Sequence, residues 1–261
     1  QAKYVMVTSS KFKSCQKAIK VTINIPLCKH LSITQKCIFH SNTTVGMDFN
    51  FNNQQRNDML QKCLICTVNI SLVNTYFTKC HYPGSQGSSI DISNYPNKVL
   101  QEYVAIRNCL FLYSSAFHQG GAVFLGKLYS VTVRDSKFIG NRLECGSGGA
   151  LFAESYFLNL VNSQFIANAA CILYEKSHLK KSHGGAVETG PMYSLVIISS
   201  NFIKNKAFNG GAVMSFPKSY MYFMNYTILI NCSFLQNAAV ADGGGIHCGY
   251  TITLIIHNCI I

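Results

Sequence analysis

Apolar residues in this chain recur neither at helical spacing nor as a simple short alternation; they return in a long, regular unit. An aromatic or aliphatic anchor stands at Phe39, Phe77, Phe111, Phe138, Phe165, Phe202, Phe234 and Ile261, at intervals of 38, 34, 27, 27, 37, 32 and 27 residues. The basic unit is therefore 27 residues, with loops of 10 and 5 residues added to two later copies and a less regular start. Five and seven residues before the anchors come aliphatic pairs, Val131/Val133, Leu158/Leu160, Leu195/Ile197 and Leu254/Ile256. Apolar side chains two apart predict short strands with one face buried.

The polar positions repeat as faithfully. Three residues after the anchor stands Asn42, Asn141, Asn168, Asn205 or Asn237, with Cys80 and Ser114 as substitutes, which makes an F-x-x-N motif. A glycine doublet follows at Gly120-Gly121, Gly148-Gly149, Gly184-Gly185, Gly210-Gly211 and Gly243-Gly244, with Gly87-Ser88-Ser89-Ile90 as a degraded copy. Two before the anchor the residue is always small, as in Cys109, Ser136, Ser163, Ser200 and Cys232; three before, it is often Asn or Asp. A unit with two or three short strands, glycines at a bend and no helical stretch buries its inner face only by stacking on its neighbours. The expected fold is an all-β parallel β-helix, a solenoid with coils of about 27 residues and loop insertions. Its Phe column fills the interior, and its Asn column forms an amide ladder at a corner, because a carboxamide both donates and accepts.

GGA[VLI] paired with F-x-x-N resembles the repeats of the polymorphic outer membrane proteins of chlamydiae, and similar surface proteins of some protists. The resemblance covers residues 108–261 well and 37–107 weakly; residues 1–36 match nothing and are expected to be an irregular segment or a degenerate first coil. It implies a right-handed, pectin-lyase-like β-helix over 37–261, regular from 108 onward, displayed outside the cell and often acting in adhesion.

Composition narrows the function classes. Hydrophobic residues make up 48% of 261, which excludes intrinsic disorder, yet no apolar run approaches the ~20 residues that span a bilayer as a helix. The chain opens on Gln without an apolar leader and closes on Asn258-Cys259-Ile260-Ile261 without a turn or charge cluster; the expectation is a piece of a longer protein, truncated across a repeat. With 22 basic and 10 acidic residues the net charge is +12, a surplus that comes from scarce acids more than from abundant bases. That favours a diffuse field over a nucleic-acid groove.

Catalytic signatures are sparse. No acid lies within three residues of another, and the pair that stacking could bring closest, Glu154 and Glu188, is offset along adjacent coils. Retaining or inverting sugar cleavage needs two carboxyl groups roughly 5–9 Å apart. The chain holds no GxSxG, HExxH, phosphate loop or dinucleotide fingerprint. His178 and His183, five apart, share a loop with Cys171 where a transition metal could find ligands, but loop histidines without a fixed partner are usually just solvated, and Cys63-Leu64-Ile65-Cys66 is an isolated CxxC. No catalytic residue, metal site or cofactor is expected.

Of twelve cysteines, Cys37, Cys109, Cys232 and Cys259 share the small-residue column, and Cys248 shares an inward column with Leu125, Ala153, Thr189 and Ser215. They read as buried fillers that need no bridge. Cys145 and Cys171, in loops on successive coils, are the candidate disulfide. Sequons occur at Asn42, Asn69, Asn225 and Asn231; Asn42 and Asn231 fall in repeat columns where a corner amide is expected, which leaves Asn69 and Asn225 as candidate glycosylation sites.

A solenoid presents flat walls for binding. The outward stripe Phe124, Phe152 and Met214, ending at His247, is apolar enough either to receive a partner or to be covered by loops such as 219–226. Tyr129, Tyr156 and Tyr193 form a second outward column, able to stack on one another or on sugar rings. These six residues are the candidate contact surface. The function expected is a non-catalytic, extracellular or cell-surface segment of an adhesin-like protein, a stalk or contact wall. Its partners would be a host or neighbouring cell-surface protein or glycan and the remainder of its own chain. No nucleic acid is expected, and a membrane only through parts outside this segment. Alternatives are a carbohydrate-active β-helix enzyme, a polysaccharide lyase or glycoside hydrolase, using Glu154 and Glu188, and a polyanion-binding module using the Lys180-Lys181 loop.

Overall fold

A computed structural model describes residues 4–8, 11–13, 19–21, 30–34, 37–40, 47–50, 67–82, 89–93, 101–144, 146–170, 182–190, 192–215, 224–249 and 251–261, with most side chains from 72 onward. Among the described residues there is no helix, and the strands join three sheets of fifteen, eight and six strands, parallel at every pairing. In the eight-stranded sheet Phe12, Phe39, Phe77, Phe111, Phe138, Phe165, Phe202 and Phe234 are successive cross-strand partners. Each partner lies one coil along the chain, so the protein is a parallel β-solenoid.

Residues 1–36 carry the strands Tyr4–Thr8, Lys11–Lys13, Ile19–Val21 and His30–Thr34. Phe12 lies 27 residues before Phe39 and pairs with it, so the anchor series begins one coil earlier than the sequence reading placed it.

Stacking gives each repeat column a physical meaning. From Phe77 to Phe234 the rings lie centroid to centroid at 4.9, 4.5, 4.7, 4.9 and 4.8 Å and within 12° of parallel, sealed from water at the centre of the solenoid. Around them the aliphatic columns close one continuous core, including Val131, Leu158 and Leu195 beside Val133, Leu160, Ile197 and Leu229.

The F-x-x-N asparagines form the corner ladder. The Asn168 Oδ1 accepts from both the backbone N–H and the Nδ2 of Asn141 at 3.0 Å, and Asn168 Nδ2 donates to the Phe138 carbonyl and to Asn205 Oδ1, each at 3.0 Å. Asn205 repeats the arrangement with Asn237. Every rung thereby satisfies a backbone amide that the turn would otherwise bury unpaired. The small column two before the anchor works the same way: Ser136 and Ser163 each donate to the carbonyl two residues back and accept an N–H from the adjacent coil.

The Asn/Asp column three before the anchor has a different cause. Asn74, Asn108, Asp135, Asn162, Asn231 and Asn258 all sit at φ between 47° and 53°, left-handed backbone that Asn and Asp tolerate best among residues with a Cβ. These side chains are exposed, and they link coils along the outside, as Asn108 Nδ2 does to Asn74 Oδ1 at 2.6 Å. Asn231 belongs to this outer row, so expecting an obstructed corner amide there is incorrect: the amides that close the corner are those after the anchor.

The glycine doublet answers two constraints at once. Gly148 has φ +78°, and a Cβ on Gly149 would overlap the carbonyl oxygen of Gly185 on the next coil and the backbone of Ala169.

Candidate functional site

The wide sheet bends between the doublet strands and the strands leading to the anchor, and this bend creates the most distinctive surface. Pairing between Val123–Arg134 and Leu151–Val161 slips at Leu125/Leu128, so the in-out alternation restarts. Two consecutive positions then face outward: Tyr129 and Ser130 lie between the buried Leu128 and Val131, and Tyr156 and Phe157 between the buried Ser155 and Leu158. The column nine before the anchor holds Tyr129, Tyr156 and Tyr193; the column eight before holds Tyr103, Ser130, Phe157, Ser194 and Tyr226 in register.

Rings from the two columns interlock. Tyr103 meets Tyr129 at 5.5 Å, Tyr129 meets Phe157 at 5.4 Å, Phe157 meets Tyr193 at 5.6 Å and Tyr193 meets Tyr226 at 5.3 Å, all edge to face. The serines at alternate coils leave room for each ring to cross to the next. Tyr156 stands beside this zigzag, 6.0 Å from Tyr129. Tyr156 is 60% and Tyr193 39% exposed, while Tyr103, Tyr129, Phe157 and Tyr226 are half-buried. Hydrogen bonding with Tyr193 raises the Tyr226 phenol above its usual value. The structure thus retains Tyr129, Tyr156 and Tyr193 as an outward column and adds Tyr103, Phe157 and Tyr226. The aromatic residue at every second coil, eight before the anchor, was the signal that could have found these three.

The other half of the expected contact surface is corrected. Phe124, Phe152 and Met214 are in register as one column, but they are 5%, 1% and 3% exposed. The chain itself covers this stripe, and Phe124 and Phe152 stack at 5.3 Å and 9°. Apolar side chains of that size gain roughly 2 kcal/mol each from leaving water, which favours an intramolecular cover over an open wall. They are not a free contact surface. Glu188 occupies the same column and is buried with it, while Glu154 is half-buried and lies two register positions away, opposite Gly190.

Asn69 lies in the strand Thr67–Val73, in register with Tyr103, and Asn225 lies in Met224–Ile230 immediately before Tyr226. The two sequons stand at opposite ends of the aromatic ladder. Cys145, Cys171, His178, Lys180, Lys181, and the Cys63/Cys66 pair fall outside the described residues. Among the described residues no three His, Cys, Asp or Glu side chains converge as a metal site.

Cys80, Cys109, Cys232, Cys248 and Cys259 are free thiols. Cys109 and Cys232 donate to the carbonyls two residues back, at 3.2 Å, just as the column serines do. Burial pushes the Cys109 thiol up to about 11. The unfolded chain therefore loses this proton from about pH 8.5 while the folded chain keeps it. The resulting contribution is intact below pH 8.5 and disappears as the pH climbs to 11. Desolvation raises Cys80, Cys232 and Cys248 in the same direction. Urea unfolding midpoints should fall steadily between pH 8.5 and 11, and Cys109→Ser should flatten that fall; a midpoint constant across this range would contradict the burial of these thiols.

No family model matches the chain, and no solved structure matches it. Over 142 residues, 54% of its length, it is 30% identical to a metabotropic glutamate receptor-like protein R of Dictyostelium discoideum. The matching part is 8% of that protein, so the chain spans less than a tenth of this relative's length.

Proposed function

We propose that this chain is a non-catalytic segment of a larger, cell-surface or secreted adhesin-like protein, built from repeats of the polymorphic outer membrane protein kind, whose outer wall contacts a glycan or protein of a neighbouring cell. The exposed aromatic ladder carries this reading. Rings held edge to face by their neighbours lose little freedom on binding, and tyrosine offers an apolar face together with a hydroxyl, the combination that suits a sugar ring or a protein hot spot. The buried, in-register interior supports a stalk role, since a solenoid transmits its shape coil by coil. The partial likeness to a much longer receptor-like protein is in keeping with a module of a larger chain. Glycans on Asn69 and Asn225 belong to the same reading of an exported protein.

The test is binding of the purified chain to a panel of immobilised glycans and to whole cells, compared with Tyr156→Ala/Tyr193→Ala. Loss of two rings at about 1 kcal/mol each should weaken binding by roughly tenfold or more, with an unchanged thermal midpoint. Binding that survives the double substitution, or no binding by the intact chain, removes the aromatic wall as the contact surface.

A further inference from the structure

The second and third sheets meet at the asparagine corner and together form an angled face that carries cations and no carboxylate among its described residues. Residues 75–82, 110–116, 137–143, 164–170, 201–207 and 233–239 include no Asp or Glu. They do include Lys79, Lys137, Arg142, Lys204 and Lys206, all exposed, and none is in an ion pair with a described residue. The nearest acid on one border, Asp135, is already engaged by Arg134 Nε at 3.2 Å and by Asn162 Nδ2 at 2.6 Å. Glu144, beyond the strand Arg142–Leu143, and Asp242 lie past the other border.

The placement is periodic. Lys79 belongs to the coil of Phe77, Lys137 and Arg142 to that of Phe138, and Lys204 and Lys206 to that of Phe202; the intervening coils of Phe111, Phe165 and Phe234 contribute no cation to this face. Arg142 and Lys206 are both cross-strand partners of Ala169, one from each side. The register positions of Lys11 and Lys13, beside Phe12, continue the alternation at the other end of the solenoid. With a coil rise of ~4.8 Å the cation-bearing coils recur every ~9.6 Å, their charges standing one residue before the anchor at Lys137, two after it at Lys79 and Lys204, and four after it at Arg142 and Lys206. Between them runs a half-exposed aliphatic column, Leu112, Ile139, Ile166 and Ile203.

We propose that this face binds a linear acidic polysaccharide, sulfated or carboxylated, laid parallel to the solenoid axis. Two coils match the length of about one disaccharide, so a chain with acidic groups on alternate sugars meets a cation at each repeat, while the aliphatic column receives the C–H faces of the sugars between. Nucleic acid suits the spacing poorly, since its phosphates recur every ~3.4 Å of strand axis in a duplex. A bilayer suits the relief poorly, because interfacial binding needs a continuous set of apolar side chains that reach ~5–10 Å into the headgroup layer, and here Leu112, Ile139, Ile166 and Ile203 are half-sunk in the wall while only the separated Tyr113 and Leu235 stand clear of it. The site is separate from the aromatic ladder, and its variants leave the ladder untouched.

The experiment compares the intact chain with Arg142→Gln/Lys204→Gln/Lys206→Gln, all exposed positions, and with Lys180→Gln/Lys181→Gln as a charge control. The probes are heparin and polygalacturonate oligosaccharides of graded length, single-stranded DNA, and vesicles containing phosphatidylserine. The intact chain should bind the oligosaccharides with affinity that rises by steps of two sugars. The triple variant, with its thermal midpoint unchanged, should bind at least tenfold more weakly, with a salt dependence shallower by roughly two to three charges. Heparin but not polygalacturonate binding would identify the sulfated class, and the reverse the carboxylated one. The proposal is overturned if neither binds, if the Lys180/Lys181 control loses as much as the triple variant, or if DNA or vesicles bind while the polysaccharides do not.

Discussion

Gly149→Ala should unfold the middle of the solenoid or lower its stability by at least about 3 kcal/mol. The added carbon would collide with the Gly185 carbonyl oxygen on the adjacent coil and with the backbone of Ala169. None of these atoms belongs to a side chain that could swing away. Relief would require two coils to separate, with loss of the backbone bonds that join them, such as Gly149 N–H to the Gly184 carbonyl at 3.0 Å and Ala150 N–H to the Ala186 carbonyl at 2.9 Å. Gly244 provides the control. It stands in the same column after Phe234, where a Cβ would meet only the Asn237 carbonyl oxygen at an ordinary 3.5 Å. Gly244→Ala should change stability by no more than about 0.5 kcal/mol. Equal unfolding midpoints for the two variants would mean that close approach of coils is not why this column is glycine.

Phe165→Ala is the second large effect, about 3–5 kcal/mol. Phe165 is fully buried and stacks on Phe138 at 4.7 Å and on Phe202 at 4.9 Å, so its removal strips a partner from both neighbours and leaves a void that rigid coils cannot close. Phe234→Ala should cost less, since that ring stacks on Phe202 alone among the described rings. Urea denaturation followed by far-ultraviolet circular dichroism would rank the two. A ranking with Phe234→Ala the costlier would show that the interior is not a uniform column.

The architecture was legible because a solenoid turns three-dimensional neighbours into residues one repeat apart. Asn141 and Asn168 bond to each other, and they are 27 residues apart in a pattern that any self-comparison of the chain exposes. The same holds for the phenylalanines, the glycine doublet and the thiols that stand in for serines. Phe12 was missed although it obeys the rule, since no F-x-x-N or glycine doublet accompanies it.

The surfaces were less legible. Which way a residue points follows from the alternation of a strand only while the strand is straight, and at Leu125/Leu128 it is not. Tyr103, Phe157 and Tyr226 join the tyrosine column through that bend. Phe124, Phe152 and Met214 do face away from the central core, as the alternation predicts, yet they are buried. Period alone separates inside from outside of a coil, but it carries no information about what else the chain lays over an outer face.

By itself, then, the order of residues determined the repeat, the parallel stacking and the chemistry of each interior column, because every one of those depends on contacts between equivalent positions of successive units. Only the folded molecule decided which outer stripe is covered, how the aromatic rings interlock and which cations share an acid-free face. Those depend on bends and on the meeting of unlike positions, for which a repeat has no signature.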